Sequence, residues 1–447
     1  HVVLAEAPSK AEGGKENSQD EIHTSKPAYL LPLSARSPEA LQSLARAYQD
    51  FLAASESTLS LHDICYTASM RRSHHDYRLA VTGNSSEQLT EGLEAFLRGE
   101  TRAGLSSGRH ISGRRRKLVF VFPGQGSQWF GMGRTLLQQE PVFREVVEHC
   151  DRAMRAYGDW SLLAELSATD PAQSRLNDIA IIQPALFAIQ VALAALWRSW
   201  GVEPQAVVGH SMGEVAAAYV AGALSLDDAV RIICCRSRLV TRTVGQGTMV
   251  AVELSLEEAR RALADYEDRV SIAATNSPTS TRLPGDPVTL AAIVEQLQRQ
   301  DIFCRQVKVD FASHSPQMDP LRAELLQTLA GLQPRPVSVP IYSTVTGAVS
   351  NGLEFEALYW TRNLREPVLF STAVQRLLED GHDIFLEISP HPILLSAIQQ
   401  GFHHRGQEGA VLPSLRREEE EHTVMLGSLG ALYTLGCSVD WSRSYPT

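Results

Sequence analysis

Residues 209 to 213 read G-H-S-M-G, after the small branched run at 206 to 208 and before the alanine-rich "EVAAAYVAGAL". G-x-S-x-G between a buried strand and a helix is the pattern of a nucleophile elbow, a sharp turn that presents the serine hydroxyl at the top of a sheet. Flanking glycines let the chain turn tightly and let neighbouring backbone come close. The helix N-terminus aims free N–H groups and a positive dipole end at the serine. Ser211 is therefore a candidate nucleophile, and the N–H of Met212 a candidate donor to an oxyanion formed there. The plainer alternative is a turn serine between glycines; the strand and helix on either side favour the nucleophile.

A serine nucleophile requires a base. The chain has fourteen histidines, so proximity in sequence does not choose one. His210 is adjacent, but its side chain should point away from that of Ser211, as a packing or hydrogen-bonding residue. His314, in "VDFASHSPQMDP", follows a strand; on residue type alone it is a solvated loop histidine. Arg236 lies on a helical stretch 25 residues after Ser211, where an arginine is ordinarily a surface residue. Arg238, close by, should pack or face solvent.

These residues need a scaffold. Residues 8 to 26 are polar and read as a flexible linker. Residues 27 to 112 make a small α/β module without a catalytic cluster: strand "PAYLLPLSA", a helix capped by Ser37 with Pro38 at its first position, strand "YRLAVTG" and helix "SEQLTEGLEAFLRG". "KLVFVFPGQGSQ" is a buried strand entering a glycine-rich turn, and "PQAVVGHS" is a second buried strand of parallel type. Ser225 and Asp228 mark the start of the helix that holds Arg236. Residues 246 to 312 then read β-α-β-β-α-β, the ferredoxin-like unit, with a Ser255/Glu258 capping box and with Asp286 and Pro287 opening its second helix. After about residue 410 the pattern thins. "RREEEEH" reads as a solvated helix start, and the tail has no evident place.

The bulk numbers exclude several classes. Among 447 residues, 44% are hydrophobic and 21% charged, with a net charge of −10. That is ordinary globular composition with no sign of nucleic-acid binding. The one basic cluster, "GRRRK" at 113 to 117, reads as a solvated linker. Six cysteines without a C-x-x-C pair or metal-ligand spacing read as reduced thiols of a cytoplasmic protein, with no metal site. No run of about 18 uninterrupted apolar residues suggests a membrane span. The abrupt start on "HVVLAEAP" suggests a piece of something longer.

"FVFPGQGSQ", "QPALFAIQ", "GHSMGEVAAAYVAGALSLDDAV", "RSRL", "FASHSPQMD", "YSTVTG", "YWTRNLREPVLF" and "EISPHPIL" occur in this order. Over about residues 117 to 410 the chain resembles the acyltransferase domains of modular type I polyketide synthases, relatives of malonyl-CoA:carrier-protein transacylases. The resemblance implies an α/β-hydrolase-like large subdomain (117 to 245 and 313 to 410) with an inserted ferredoxin-like small subdomain (246 to 312). It also implies a ketosynthase remnant and linker at 1 to 26, a ketosynthase-to-acyltransferase linker domain at 27 to 116, and a post-acyltransferase linker at 411 to 447. Carried over by motif, Ser211 is the nucleophile and His314 its base, in a Ser-His dyad. The acceptor that orients the histidine falls on Asn363, with a backbone carbonyl as the alternative. The oxyanion donors are the N–H groups of Gln125 and Met212. Arg236 holds a carboxylate of the acyl group with its planar fork. The implied reaction is ping-pong transfer from an acyl-CoA, through an acyl-serine, to the phosphopantetheine thiol of an acyl carrier protein, with no bound cofactor. A ketosynthase of the same synthase is the implied neighbour.

The resemblance also bears on the extender unit. Malonyl-type domains usually read HAFH before the histidine and methylmalonyl-type domains YASH; this chain reads Phe311-Ala312-Ser313-His314. A phenylalanine in place of Ser313 would fill the space that an α-methyl needs, so this segment favours methylmalonyl. Met212 points the other way, because methylmalonyl-type domains often carry glutamine there. Two other classes remain to be weighed. A serine hydrolase or thioesterase would pass the acyl group to water, which Arg236 argues against. A non-catalytic docking scaffold would suit a chain lacking Ser211 or His314.

Overall fold

In the computed structural model the described residues are 28–54, 59–111, 113, 115–266, 269–307, 309 and 311–444. The segment read as a ketosynthase remnant and linker lies outside them.

Three sheets organise the described residues. The first is antiparallel, in the order β1 (Tyr29–Ala35), β2 (Tyr77–Gly83), β3 (Leu105–Arg109). Its first helix, Pro38–Ala53, starts as the sequence suggests, with the Ser37 hydroxyl accepting from the Ala40 N–H. The strand at 105 to 109 and the helix Leu61–Met70 carry weak local signals and were not evident from sequence.

The second sheet has six strands, β4 (Leu118–Phe122), β5 (Ala206–Gly209), β10 (Ile341–Tyr342), β11 (Val349–Ser350), β12 (Ile384–Glu387) and β13 (Ala410–Pro413), in the order β11-β10-β5-β4-β12-β13. All pairs are parallel except β10–β11. Every residue of β4 and β5 is buried, as central parallel strands require. Alternate side chains serve opposite faces: Phe120 and Phe122 join one apolar cluster, Val119 and Val121 another. The first cluster includes the helix Ile179–Ser199. That helix is long and apolar enough to cross a membrane, with mean hydropathy 2.1 over its most apolar stretch, but 89% of that stretch is buried within the fold. The chain leaves β4 toward β5 on one side and pairs with β12 on the other, a switch point at whose C-terminal edge ligand sites form in open α/β sheets.

The third sheet, β6 (Thr248–Val252), β7 (Ala274–Ser277), β8 (Ser280–Gly285) and β9 (Cys304–Gln306), has the antiparallel order β7-β8-β6-β9 and its own apolar core. This is the ferredoxin-like unit, with the Ser255/Glu258 capping box formed. It is clipped to the large subdomain by backbone at the start of β7, where Thr275 N–H donates to the Val368 carbonyl and Val368 N–H to that of Ala273.

Two expectations are corrected here. The charge runs are not merely solvated: Arg116 pairs with Asp383 at 2.7 Å, Lys117 donates to the Asp380 carbonyl, and Glu421 is buried. The Glu421 carboxylate accepts from the N–H groups of Gly133 and Leu136, so it caps a helix, Arg134–Gln139, that has no side-chain cap of its own. The tail also has a place. Its helix, Glu421–Leu435, lies on the first sheet, with Arg78 donating to the Tyr433 carbonyl and covering its ring at 4.6 Å.

Candidate active site

The elbow forms at the C-terminal end of β5, before the helix Gly213–Val220. Both glycines are dictated by close approach. A Cβ on Gly209 would stand 2.3 Å from the Glu214 Cα, and one on Gly213 would stand 2.1 Å from the Phe122 carbonyl oxygen. Ser211 itself has φ 55, in the left-handed region, where a side chain persists only if its surroundings hold it. His314 has φ 59.

The two strained residues meet. Ser211 Oγ lies 2.7 Å from His314 Nε2, and His314 Nδ1–H donates to the Glu366 carbonyl at 2.9 Å. Because a carbonyl only accepts, the proton is on Nδ1 and the bare Nε2 faces the serine hydroxyl. Burial, reinforced by the charge of Arg236, holds His314 down at about 3, so the ring is neutral and free to accept a proton at neutral pH.

The acceptor expected at Asn363 is therefore corrected: the Glu366 carbonyl fills that place. The Asn363 side chain instead donates from Nδ2 to the Ser211 carbonyl at 3.1 Å and to Glu214 Oε2 at 2.7 Å. The cause is geometric. Asn363 sits in the last turn of the helix Ala357–Arg365 and reaches under the elbow, whereas the chain just beyond that helix passes the histidine.

Arg236 is 2% exposed. It donates from Nη2 to Ser211 Oγ at 3.2 Å and from Nη1 to Gln183 Oε1 at 2.9 Å, while its Nε has no partner. No ion pair to it occurs among the described residues. Burial lowers it only to about 10, so a full positive charge stands beside the hydroxyl without a carboxylate. Arg238 is exposed. His210 Nε2–H donates to Asn276 Oδ1 at 2.8 Å, tying the elbow to β7.

The turn at 123 to 126 lies against the elbow: a Cβ on Gly124 would stand 3.1 Å from the His210 carbonyl and 3.6 Å from the Ser211 Cβ. Neither Gln125 N–H nor Met212 N–H meets a backbone acceptor among the described residues. The Gln125 side chain accepts from Gln183 Nε2. Gln183, although inside a quoted motif, had no role assigned from sequence; it is the link between the arginine and the turn.

Two spaces adjoin one another here: an inner pocket that reaches Ser211, and an outer cleft that shares Gln125, Arg282, Val307 and Val309 with it. The inner pocket, about 60 Å3, is lined around Arg236 by Met212, Val240, Met249, Phe311 and Ser313. Met212 and Ser313, which disagree about the extender unit, thus line one pocket, and Val240 and Met249 were not singled out from sequence. Outside it a cleft of about 1070 Å3 separates the two subdomains. Arg282, Arg305, His391, Arg416 and Arg417 line it, and no carboxylate does among the described residues.

A family model for the acyl transferase domain matches residues 119–439, and one for the CurL-like C-terminal region of polyketide synthases matches residues 29–93. Polyketide synthase GfsA of Streptomyces halstedii is 44% identical over 388 residues, which is 86% of this chain. Erythronolide synthase EryA2 of Saccharopolyspora erythraea is 38% identical over the whole chain. The chain spans only 5% and 12% of those two proteins. The acyltransferase domain from module 8 of the salinomycin polyketide synthase superposes with TM-score 0.88 at 38% identity, covering 93% of this chain and 98% of that one. The acyltransferase domain of SpnD, solved with 2-(pent-4-yn-1-yl)malonyl, superposes with TM-score 0.80 at 26% identity over 94% of this chain and 98% of its own.

Proposed function

Since the chain belongs to the acyltransferase domains of modular type I polyketide synthases, we propose that it loads a dicarboxylic extender unit, methylmalonyl, from its CoA thioester onto an acyl carrier protein in the cytoplasm. The observation that supports this most strongly is Arg236: a buried arginine without a carboxylate partner among the described residues, within hydrogen-bond distance of the candidate nucleophile. A free carboxylate on the acyl group would complete its fork. A simple hydrolase has no use for that charge.

His314 Nε2 takes the Ser211 proton as Oγ attacks the thioester carbonyl. The oxyanion is received by the N–H groups of Gln125 and Met212. When the carbonyl re-forms, CoA departs as its thiol with the proton from His314, leaving the acyl ester on Ser211. The carrier protein's phosphopantetheine thiol then gives its proton to His314 and attacks the ester, which restores Ser211 and yields the acyl thioester. The arginine-lined cleft suits the phosphates of both partners, in a chain whose net charge is −10. Ser313 favours methylmalonyl. Met212, in the same pocket, favours the second reading, a malonyl donor.

Labelled methylmalonyl-CoA and a carrier protein test the reading. Label should reach the carrier faster than it appears as free acid, and Ser211→Ala should take up none. Release mainly as free acid, or labelling of Ser211→Ala, would overturn it.

A further inference from the structure

Glu214 is fully buried three residues after Ser211, and the reaction described above gives it no task. Its two oxygens are both engaged. Oε1 accepts from the Thr344 N–H and Oε2 from Asn363 Nδ2, each at 2.7 Å. The Tyr359 phenol is a further hydrogen-bonding neighbour. An ionised carboxylate is the acceptor that such a set of donors calls for. Burial nevertheless pushes the group up to about 7.

What these contacts hold is the dyad. Asn363 Nδ2 also donates to the Ser211 carbonyl. The next residue, Leu364, accepts the backbone N–H of His314 at 3.2 Å, and the Glu366 carbonyl accepts its Nδ1–H. One helix end thus grips the nucleophile with Asn363 and the base with the two carbonyls that follow. On the other side, Thr344 donates from Oγ1 to the Gly209 carbonyl at 2.9 Å, and its own carbonyl accepts from Leu369. Glu214 is the group bonded to both supports. Ser211 and His314 both have positive φ, a conformation that persists only where surrounding contacts over-determine it.

We propose that Glu214 is a positioning residue, whose carboxylate locks the end of the helix Ala357–Arg365 onto the elbow and so sets the separation of Ser211 and His314. This rests on the reading of Ser211 and His314 as a reacting pair. Glutamine at 214 cannot accept with both side-chain atoms, so one of the two donors loses its partner and the clamp loosens.

The test uses two reactions of Ser211. A small alkyl fluorophosphonate reports the Ser-His pair without needing an acyl-CoA, and methylmalonyl-CoA reports the proposed activity. Glu214→Gln should slow phosphonylation and kcat for acylation at least tenfold while KM changes less than threefold. Asn363→Ala should do the same, and the double variant should be no slower than the slower single variant. Rates within twofold of wild type for both single variants, or a loss confined to KM, would overturn the proposal. If Glu214→Gln does not fold, Asn363→Ala alone decides by the same criteria. A wild type that reacts with the fluorophosphonate but not with the acyl-CoA would refute the acyltransferase reading, while the phosphonylation rates still decide the role of Glu214.

Discussion

The inner pocket and the outer cleft adjoin through Gln125, Arg282, Val307 and Val309 but are built on opposite principles. The pocket is narrow and largely apolar; Arg236 is buried in it, held by Gln183 and the serine hydroxyl, and Arg282 lines the side it shares with the cleft. The cleft is roomy and open, with several cations on different elements: Arg282 on β8, Arg305 on β9, and Arg416 and Arg417 after β13. A buried charge lacking a counterion is costly until a ligand supplies one, so on the proposed function the pocket discriminates. Arg305 and Arg417 are exposed, and exposed cations are screened and individually weak, so on the proposed function the mouth of the cleft attracts and guides. On the proposed function the difference is a division of labour, in which the cleft would take the phosphate-bearing arm common to donor and acceptor and the pocket would read the acyl group.

The sharpest break of that comparison is Arg236→Ala. Charge-assisted hydrogen bonds contribute about 1.5–3 kcal/mol each, so kcat/KM for methylmalonyl-CoA should fall on the order of 100-fold or more. Propionyl-CoA, which has no free carboxylate, should lose little. Equal losses on both in steady-state assays would remove the carboxylate role. Ser313→Phe acts on the same pocket through volume. Overpacking of about 1–3 kcal/mol should cut methylmalonyl loading about 5- to 150-fold relative to malonyl, measured by competition. An unchanged ratio would exclude Ser313 as a selector. The smallest effects belong to the cleft. Arg305→Ala and Arg417→Ala should each raise KM for acyl-CoA about two- to fivefold at low salt and leave the malonyl-to-methylmalonyl ratio alone. A change in that ratio would blur the division between the two spaces.

What sequence made legible follows the range of the signal. The elbow is local: strand, G-x-S-x-G and helix lie within fifteen residues, and the glycines answer contacts that leave no room for a Cβ. The ferredoxin-like unit is legible for the same reason, since caps and alternation mark each element. His314 and Arg236 needed the resemblance, because nothing local distinguishes a buried histidine or arginine from an exposed one. The Glu366 carbonyl had no signature at all: any residue supplies a backbone carbonyl, and only the fold brings that one to His314. Gln183, Glu214 and Glu421 were missed because their burial depends on segments far away in sequence. The tail escaped because its helix packs on a sheet more than 300 residues earlier.

The central claim is that Ser211 accepts an acyl group whose free carboxylate rests on Arg236. It is tested most directly by intact-mass spectrometry of the chain after brief exposure to an equimolar mixture of methylmalonyl-CoA, malonyl-CoA and propionyl-CoA. A single adduct on Ser211 with the methylmalonyl mass in excess, malonyl second and propionyl scarce is the predicted outcome. Propionyl as the main adduct, or an adduct on another residue, would contradict it.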